Sequence, residues 1–221
     1  MTTFVLVHGA FRGGWSWDRV APLLRAAGHQ VHTPTLSGTA SGLDVWVDEV
    51  AALVTGTDTV LVGHSQGGVV VREVALRADV RHLVYLDAAV PDPGERAVDV
   101  APEPVDDALL PPRDTVVPPR PQAAGGDLDE ATAAWMNERL VPTPFAPSLD
   151  PASPGEPDVA TTYVFCTGTP SAYPCGTTRR RLDERGTPYA WIDAGHDAPL
   201  TRPDVVAEHL LAAADDRSRA T

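Results

Sequence analysis

Lysine is missing altogether. All 17 basic side chains of this 221-residue chain are arginines, and without an ε-amine that can lose its proton the chain has no Schiff-base or amine catalysis at its disposal. Cysteine is nearly as scarce: Cys166 and Cys175 stand alone, and neither their number nor their spacing suggests a disulfide framework or a metal site. Positive charge is short, with 17 basic against 30 acidic residues for a net −13, which argues against nucleic acid and anionic membrane surfaces, both of which select basic patches. No apolar run reaches membrane-spanning length, and Met1-Thr2-Thr3-Phe4 opens no basic segment leading into an apolar core, so a cytoplasmic protein is expected. No metal or cofactor is expected either, and the partner implied is a small molecule.

What is present centres on Val60-Leu61-Val62-Gly63-His64-Ser65-Gln66-Gly67-Gly68-Val69-Val70. An apolar strand runs into Gly-x-Ser-x-Gly and straight on into a helix, the signature of a nucleophile elbow. So sharp a turn brings neighbouring backbone too close for side chains, hence glycine at 63 and 67. Ser65 then stands at the carboxyl edge of a parallel sheet, and the Gln66 N–H, opening the next helix, points where an oxyanion would form.

Around that stretch the chain alternates strand and helix. Strands are expected at 3–8, 29–33, 59–62, 82–86, 161–166 and 189–192. Helices are expected at 17–27 with Ser16 as N-cap, and at 43–54, 67–78, 177–185 and 205–214. The alternation predicts an α/β fold, a doubly wound and mostly parallel sheet covered on both faces. Between residues 91 and 158 the texture changes, with 15 of the 22 prolines, a density that prevents regular sheet and long helix. Residues 1–90 and 159–221 are therefore expected to form the core and 91–158 a cap insertion. One helix is expected in the insertion, at 127–140, and Trp135, Met136, Leu140 and Phe145 are its candidates for a pocket entrance.

A serine nucleophile needs a base and donors for the oxyanion. Of seven histidines, His196 in Asp193-Ala194-Gly195-His196-Asp197 follows the last strand, at the same sheet edge as Ser65. The turn His8-Gly9-Ala10-Phe11 ends the first strand beside the elbow strand, so the Ala10 N–H is the candidate second donor and Phe11 a pocket wall.

His8-Gly9-Ala10-Phe11-Arg12-Gly13-Gly14-Trp15-Ser16-Trp17 together with Gly63-His64-Ser65-Gln66-Gly67-Gly68 resembles the α/β-hydrolase superfamily, in the branch of plant methylesterases, hydroxynitrile lyases and small bacterial esterase-like proteins. Similarity continues at Leu83-Val84-Tyr85-Leu86-Asp87-Ala88, Arg139-Leu140-Val141-Pro142-Thr143-Pro144 and Gly195-His196-Asp197. The resemblance implies the α/β-hydrolase fold with Ser65 as nucleophile, His196 as base and the Ala10 and Gln66 backbones as oxyanion hole. One position departs from the pattern: after the strand ending at Cys166, where relatives usually place the triad aspartate, the chain reads Thr167-Gly168-Thr169-Pro170. Asp87 is the best substitute, ahead of Asp193, Asp197 and Asp92, because some α/β-hydrolases place their acid after the corresponding strand.

The function expected is a serine hydrolase cleaving a small ester or thioester through an acyl-Ser65 intermediate. Hydroxynitrile lyases of the branch commonly carry a threonine where Gly9 stands and a lysine where Asp197 stands. Thr169 keeps open a non-hydrolytic cyclase, lyase or ligand-binding protein with a degraded triad.

Overall fold

The computed structural model describes residues 1–216. The chain runs β1 (Thr3–Val7), α1 (Ala21–Ala26), β2 (Gln30–His32), α2 (Leu43–Ala51), β3 (Thr59–His64), α3 (Gly67–Ala75) and β4 (His82–Leu86). It continues through the two-residue strand β5 (Val116–Val117), α4 (Glu130–Asn137) and β6 (Thr143–Pro144). It ends with β7 (Ala160–Cys166), α5 (Cys175–Arg185), β8 (Ala190–Ile192), α6 (Ala198–Thr201) and α7 (Pro203–Asp215). Six strands form one sheet in the order β2-β1-β3-β4-β7-β8, every pair parallel.

The strands read as unbroken apolar runs because both faces are covered. Phe4 and Leu6 of β1 and Val60 and Val62 of β3 face one core, closed by Trp17, Leu24 of α1 and Val206 and Leu210 of α7. Val5, Val7 and Leu61 face the other, closed by Val47 and Val50 of α2 and Val70 and Val74 of α3. Each such side chain, fully buried, contributes roughly 1.5–3 kcal/mol of transfer free energy, so the sheet is the rigid part on which a site can be built.

Two helix starts differ from expectation by three residues or more. Ser16 caps nothing: Gly14–Trp17 is a single 3₁₀ turn, and α1 begins only at Ala21, with Pro22 in its first turn, where a fixed φ and a missing N–H cost least. In the later case α4 starts at Glu130, capped by Asp129, whose side chain accepts from the Thr132 N–H at 2.6 Å; Asp127 is engaged elsewhere. The segment 91–158 otherwise holds short 3₁₀ turns and the antiparallel β5–β6 pair. No helix among the described residues is long and apolar enough to cross a membrane.

Candidate active site

Ser65 follows β3 directly and has φ +54°; Phe11 at +63° and Asp87 at +45° are the other non-glycine residues with positive φ among the described residues. All three line one cavity of about 530 Å³. Left-handed backbone costs an L-residue of order 1 kcal/mol or more, and it persists where surrounding structure over-determines it. At Ser65 that structure is close backbone packing. A Cβ on Gly63 would lie 2.7 Å from the Gly67 carbonyl oxygen, and one on Gly67 would lie 2.6 Å from that of Val7. The β1 turn comes as near from the other side, since a Cβ on Gly9 would sit 2.6 Å from Ser65 Cβ. The Ser65 N–H donates to Leu86 O at 3.2 Å, and its carbonyl accepts from the Gly68 and Ala89 N–H groups at 3.1 Å each, tying the elbow to the end of β4.

His196 comes from the loop between β8 and α6, and its Nδ1 lies 2.6 Å from Asp87 Oδ2. A carboxylate only accepts, so Nδ1 carries the proton and Nε2 is left with a lone pair. Asp87, at the end of β4, is 1 % exposed. Its Oδ1 accepts from the Cys166 N–H at 3.1 Å and its Oδ2 also accepts from Thr169 Oγ1 at 2.6 Å. Burial pushes its carboxyl up, but the hydrogen bond and charge of His196, then Thr169 and Cys166, outweigh burial and hold it below its ordinary value. Thr169, which stands where relatives usually place an acid, thus donates to the acid of another strand. The other contenders are engaged elsewhere: Asp193 with Thr167, Asp92 with Arg185, Asp197 with Arg12.

Cys175 lies beside this pair. Among the described residues, Asp87, Cys175 and His196 are the one trio of potential metal ligands, their ligand atoms within 4.8 Å of one another. Burial first, then the neighbouring carboxylate, push the thiol well above its ordinary pKa.

The flanking loops are fixed by specific polar links. Arg12 Nε and Nη2 grip the Asp197 carboxylate at 2.9–3.1 Å, joining the β1 turn to the His196 loop. Asp127 accepts from the Gly195 N–H at 3.0 Å and from Thr201 Oγ1. His64 Nε2 donates to the His196 carbonyl at 2.8 Å; burial first, then the charge of His196, lower its pKa to about 3. His8 accepts the Leu36 N–H on Nε2 at 3.0 Å and donates from Nδ1 to Gly9 O, and burial lowers it to about 4. Among the described residues no protein acceptor takes the N–H of Ala10 or of Gln66, whereas the Phe11 N–H donates to Thr143 Oγ1 at 2.7 Å.

Ser65, His196, Asp87, Ala10, Gln66 and Phe11 all line the cavity. Trp135, Met136, Leu140 and Phe145 do not. Met136 is wholly buried, and Trp135 stacks edge-on against Trp15 at 5.5 Å with Arg139 over its face, so α4 spends its apolar side on anchoring. The segment 91–158 instead contributes Ala97, Val98, Val117, Pro118, Arg120, Gln122 and Ser148, small or irregularly spaced residues that no periodicity marks. Tyr173, also unanticipated, edges onto the His196 ring at 4.5 Å.

A family model described as "Alpha/beta hydrolase family" matches residues 4–209. The chain is 31% identical over 241 residues to the "Carbendazim hydrolyzing esterase" of Nocardioides sp. (strain SG-4G), covering 96% of this chain and 99% of that one. It is 38% identical over 109 residues to the "Alpha-hydroxynitrile lyase" of Arabidopsis thaliana, covering 40% of each. A solved "Extracellular alpha/beta-hydrolase from Paenibacillus species" superposes with a TM-score of 0.78 at 23% identity, covering 98% of this chain and 100% of the other. Matched along almost its whole length by the family's own model, the chain belongs to the α/β hydrolase family.

Proposed function

We propose that this protein is a serine hydrolase of the carboxylesterase type, cleaving a small ester or thioester through an acyl-Ser65 intermediate. The observation that carries the proposal is the 2.6 Å contact between His196 Nδ1 and Asp87 Oδ2, in one cavity with a serine at φ +54°. His196 Nε2 takes the Ser65 proton as Oγ attacks the carbonyl carbon, then returns it to the leaving alcohol or thiol. Asp87 holds the imidazole in the required tautomer and stabilises the imidazolium. The carbonyl oxygen, now an oxyanion, falls to the two uncommitted N–H groups of Ala10 and Gln66, each donor of this kind worth 10²–10³ in turnover. Water, activated by the same imidazole, attacks the acyl carbon and releases Ser65.

Full-length similarity to a protein named an esterase points the same way. The non-hydrolytic alternative rested on a missing carboxylate at residue 169, and Asp87 supplies one. The segment 91–158 serves as a cap over the core of 1–90 and 159–221. Two free buried thiols fit a reducing cytoplasm.

A fluorophosphonate probe should label the wild-type protein and not Ser65→Ala. Turnover of p-nitrophenyl acetate and butyrate should fall by at least about 10⁴ in that variant. Equal labelling of the alanine variant would reject the assignment.

A further inference from the structure

Every arginine among the described residues other than Arg120 donates a hydrogen bond. Some grip carboxylates, as Arg12, Arg72, Arg77, Arg96 and Arg181 do, and others cap carbonyls, as Arg19, Arg25 and Arg202 do. Arg120 has no hydrogen bond, ion pair or ring contact within this set, and it lines the same cavity as Ser65. Arg120 is exposed at the cavity mouth, so its guanidinium is open to a ligand without first giving up a protein partner. Arg12 is already matched to Asp197, and the Asp87 carboxylate is taken up by His196, Thr169 and Cys166, so Arg120 is the one charged group of the cavity wall with no hydrogen-bond partner among the described residues.

The backbone that carries Arg120 is held. On one side, β5 pairs with β6 through Val116 and Val117, and the Phe145 N–H donates to Thr115 O at 2.9 Å. On the other, Asn137 of α4 clamps Gln122 from both directions, accepting its N–H and donating to its carbonyl at 2.8 Å each. Pro118, Pro119 and Pro121 flank the arginine and fix φ at three of the four positions around it. A guanidinium on a rigid strap loses less freedom on pairing than one on a loose loop, and its planar fork matches a carboxylate bidentately.

We infer that Arg120 is a specificity residue that binds an anionic group on the substrate, so that the preferred substrates are esters bearing a free carboxylate away from the scissile bond. This rests on the serine-hydrolase reading and narrows it. The scissile carbonyl sits at Ser65, and the distal carboxylate reaches across the cavity to the strap.

The test compares monomethyl adipate with methyl hexanoate in the full-length protein, following methanol release. Wild type should favour the mono-acid by about threefold or more in kcat/KM, as expected of a charge-assisted pair at an exposed guanidinium. The preference should shrink as sodium chloride is raised. In Arg120→Gln the ratio should fall to about one or below, chiefly through KM for the mono-acid, and Arg120→Lys should restore part of it. Because the readout is a ratio within each variant, a general loss of activity or stability does not mimic it. Where neither ester turns over, protection of Ser65 from fluorophosphonate by the mono-acid against the neutral ester gives the same ratio. A wild-type ratio at or below one, or a ratio unchanged in Arg120→Gln, overturns the inference while leaving the hydrolase assignment standing. Failure of the fluorophosphonate to label Ser65 overturns both.

Discussion

The parallel sheet and the segment 91–158 meet in one cavity but are held by different forces. Around β1, β3 and β4 the side chains are buried on both faces of the sheet, and the groups placed there inherit the rigidity of close packing. Apart from α4, the segment 91–158 has only two-residue strands and single 3₁₀ turns. Beside the apolar anchor of α4, single polar links tie it down: Arg72 to the carbonyls of Ser153 and Gly155, Asp150 to the Leu43 N–H, Thr143 to the Phe11 N–H, Gln66 to Ser148. The proposed chemistry would sit on the first region and the proposed selectivity on the second. Substitutions near the sheet edge should therefore act on turnover or folding, and those in the segment on choice of substrate.

The hardest blow to that division is struck at Asp87. Asp87→Asn keeps the shape but offers an amide where His196 needs a carboxylate, and turnover of p-nitrophenyl butyrate should fall on the order of 10⁴, as in the worked serine-protease example. A loss below about tenfold would remove Asp87 from the triad. Thr169→Ala sharpens the same point. The sequence by itself gives this threonine no task, but its hydroxyl donates to Asp87 at 2.6 Å. A hydrogen bond to a charged group contributes about 1.5–3 kcal/mol, so roughly tenfold of the rate should go. Because that bond helps hold the Asp87 carboxyl low, its loss should move the acid limb of the kcat/KM profile to higher pH.

Two ion pairs measure the contrast in stability. Arg12 and Asp197 are 8 % and 13 % exposed, and Asp197→Ala leaves a buried guanidinium uncompensated, at a cost of about 3 kcal/mol in urea unfolding. Arg113 and Asp150, at 50 % and 28 %, pair at the surface within the segment, where Arg113 also donates to the Ser41 carbonyl of the body at 3.1 Å, and Arg113→Ala should cost no more than about 1 kcal/mol. Equal costs would mean that the segment is as tightly integrated as the sheet.

Acid gives the mildest perturbation. Burial keeps His8 at about 4 and His64 at about 3, below the ordinary 6.5, so both rings are neutral in the folded chain while the unfolded chain takes up their protons below pH 6.5. Their contribution is intact above that pH and is lost as the pH falls toward 4, by at most about 1.4 kcal/mol per pH unit for each ring. Urea midpoints at pH 7, 6 and 5 should decline in that order, and His8→Gln should flatten the decline. A flat series would mean that these rings titrate alike in both states.

How much of this was legible in the sequence follows the same boundary. β1, β3 and β4 were, because burial on both faces writes itself as an apolar run, and so was Ser65, because a strained turn demands its glycines. Asp87 was readable as a contender once position 169 lacked a carboxylate. The start of α1 was not, since Ser16 looks like a cap until Pro22 is weighed as a first-turn residue. The cavity wall in 91–158 was not either. Trp135 and Met136 are large apolar residues there, but they serve α4's attachment, and the wall mixes alanine, valine and proline with Arg120, Gln122 and Ser148 in largely irregular backbone. Arg120 is invisible in sequence because being unpaired is a property of three-dimensional neighbours.

Gly9 has a consequence for descent and redesign. With a Cβ there falling 2.6 Å from Ser65 Cβ and 3.3 Å from the His64 carbonyl, the threonine that hydroxynitrile lyases of this branch commonly carry after the first-strand histidine cannot be installed by one codon change without displacing the nucleophile. A path from this chain to lyase chemistry would first have to move the β1 turn away from the elbow. A laboratory lineage selected for cyanohydrin cleavage should therefore acquire changes in 8–14 before, and not after, the change at 9.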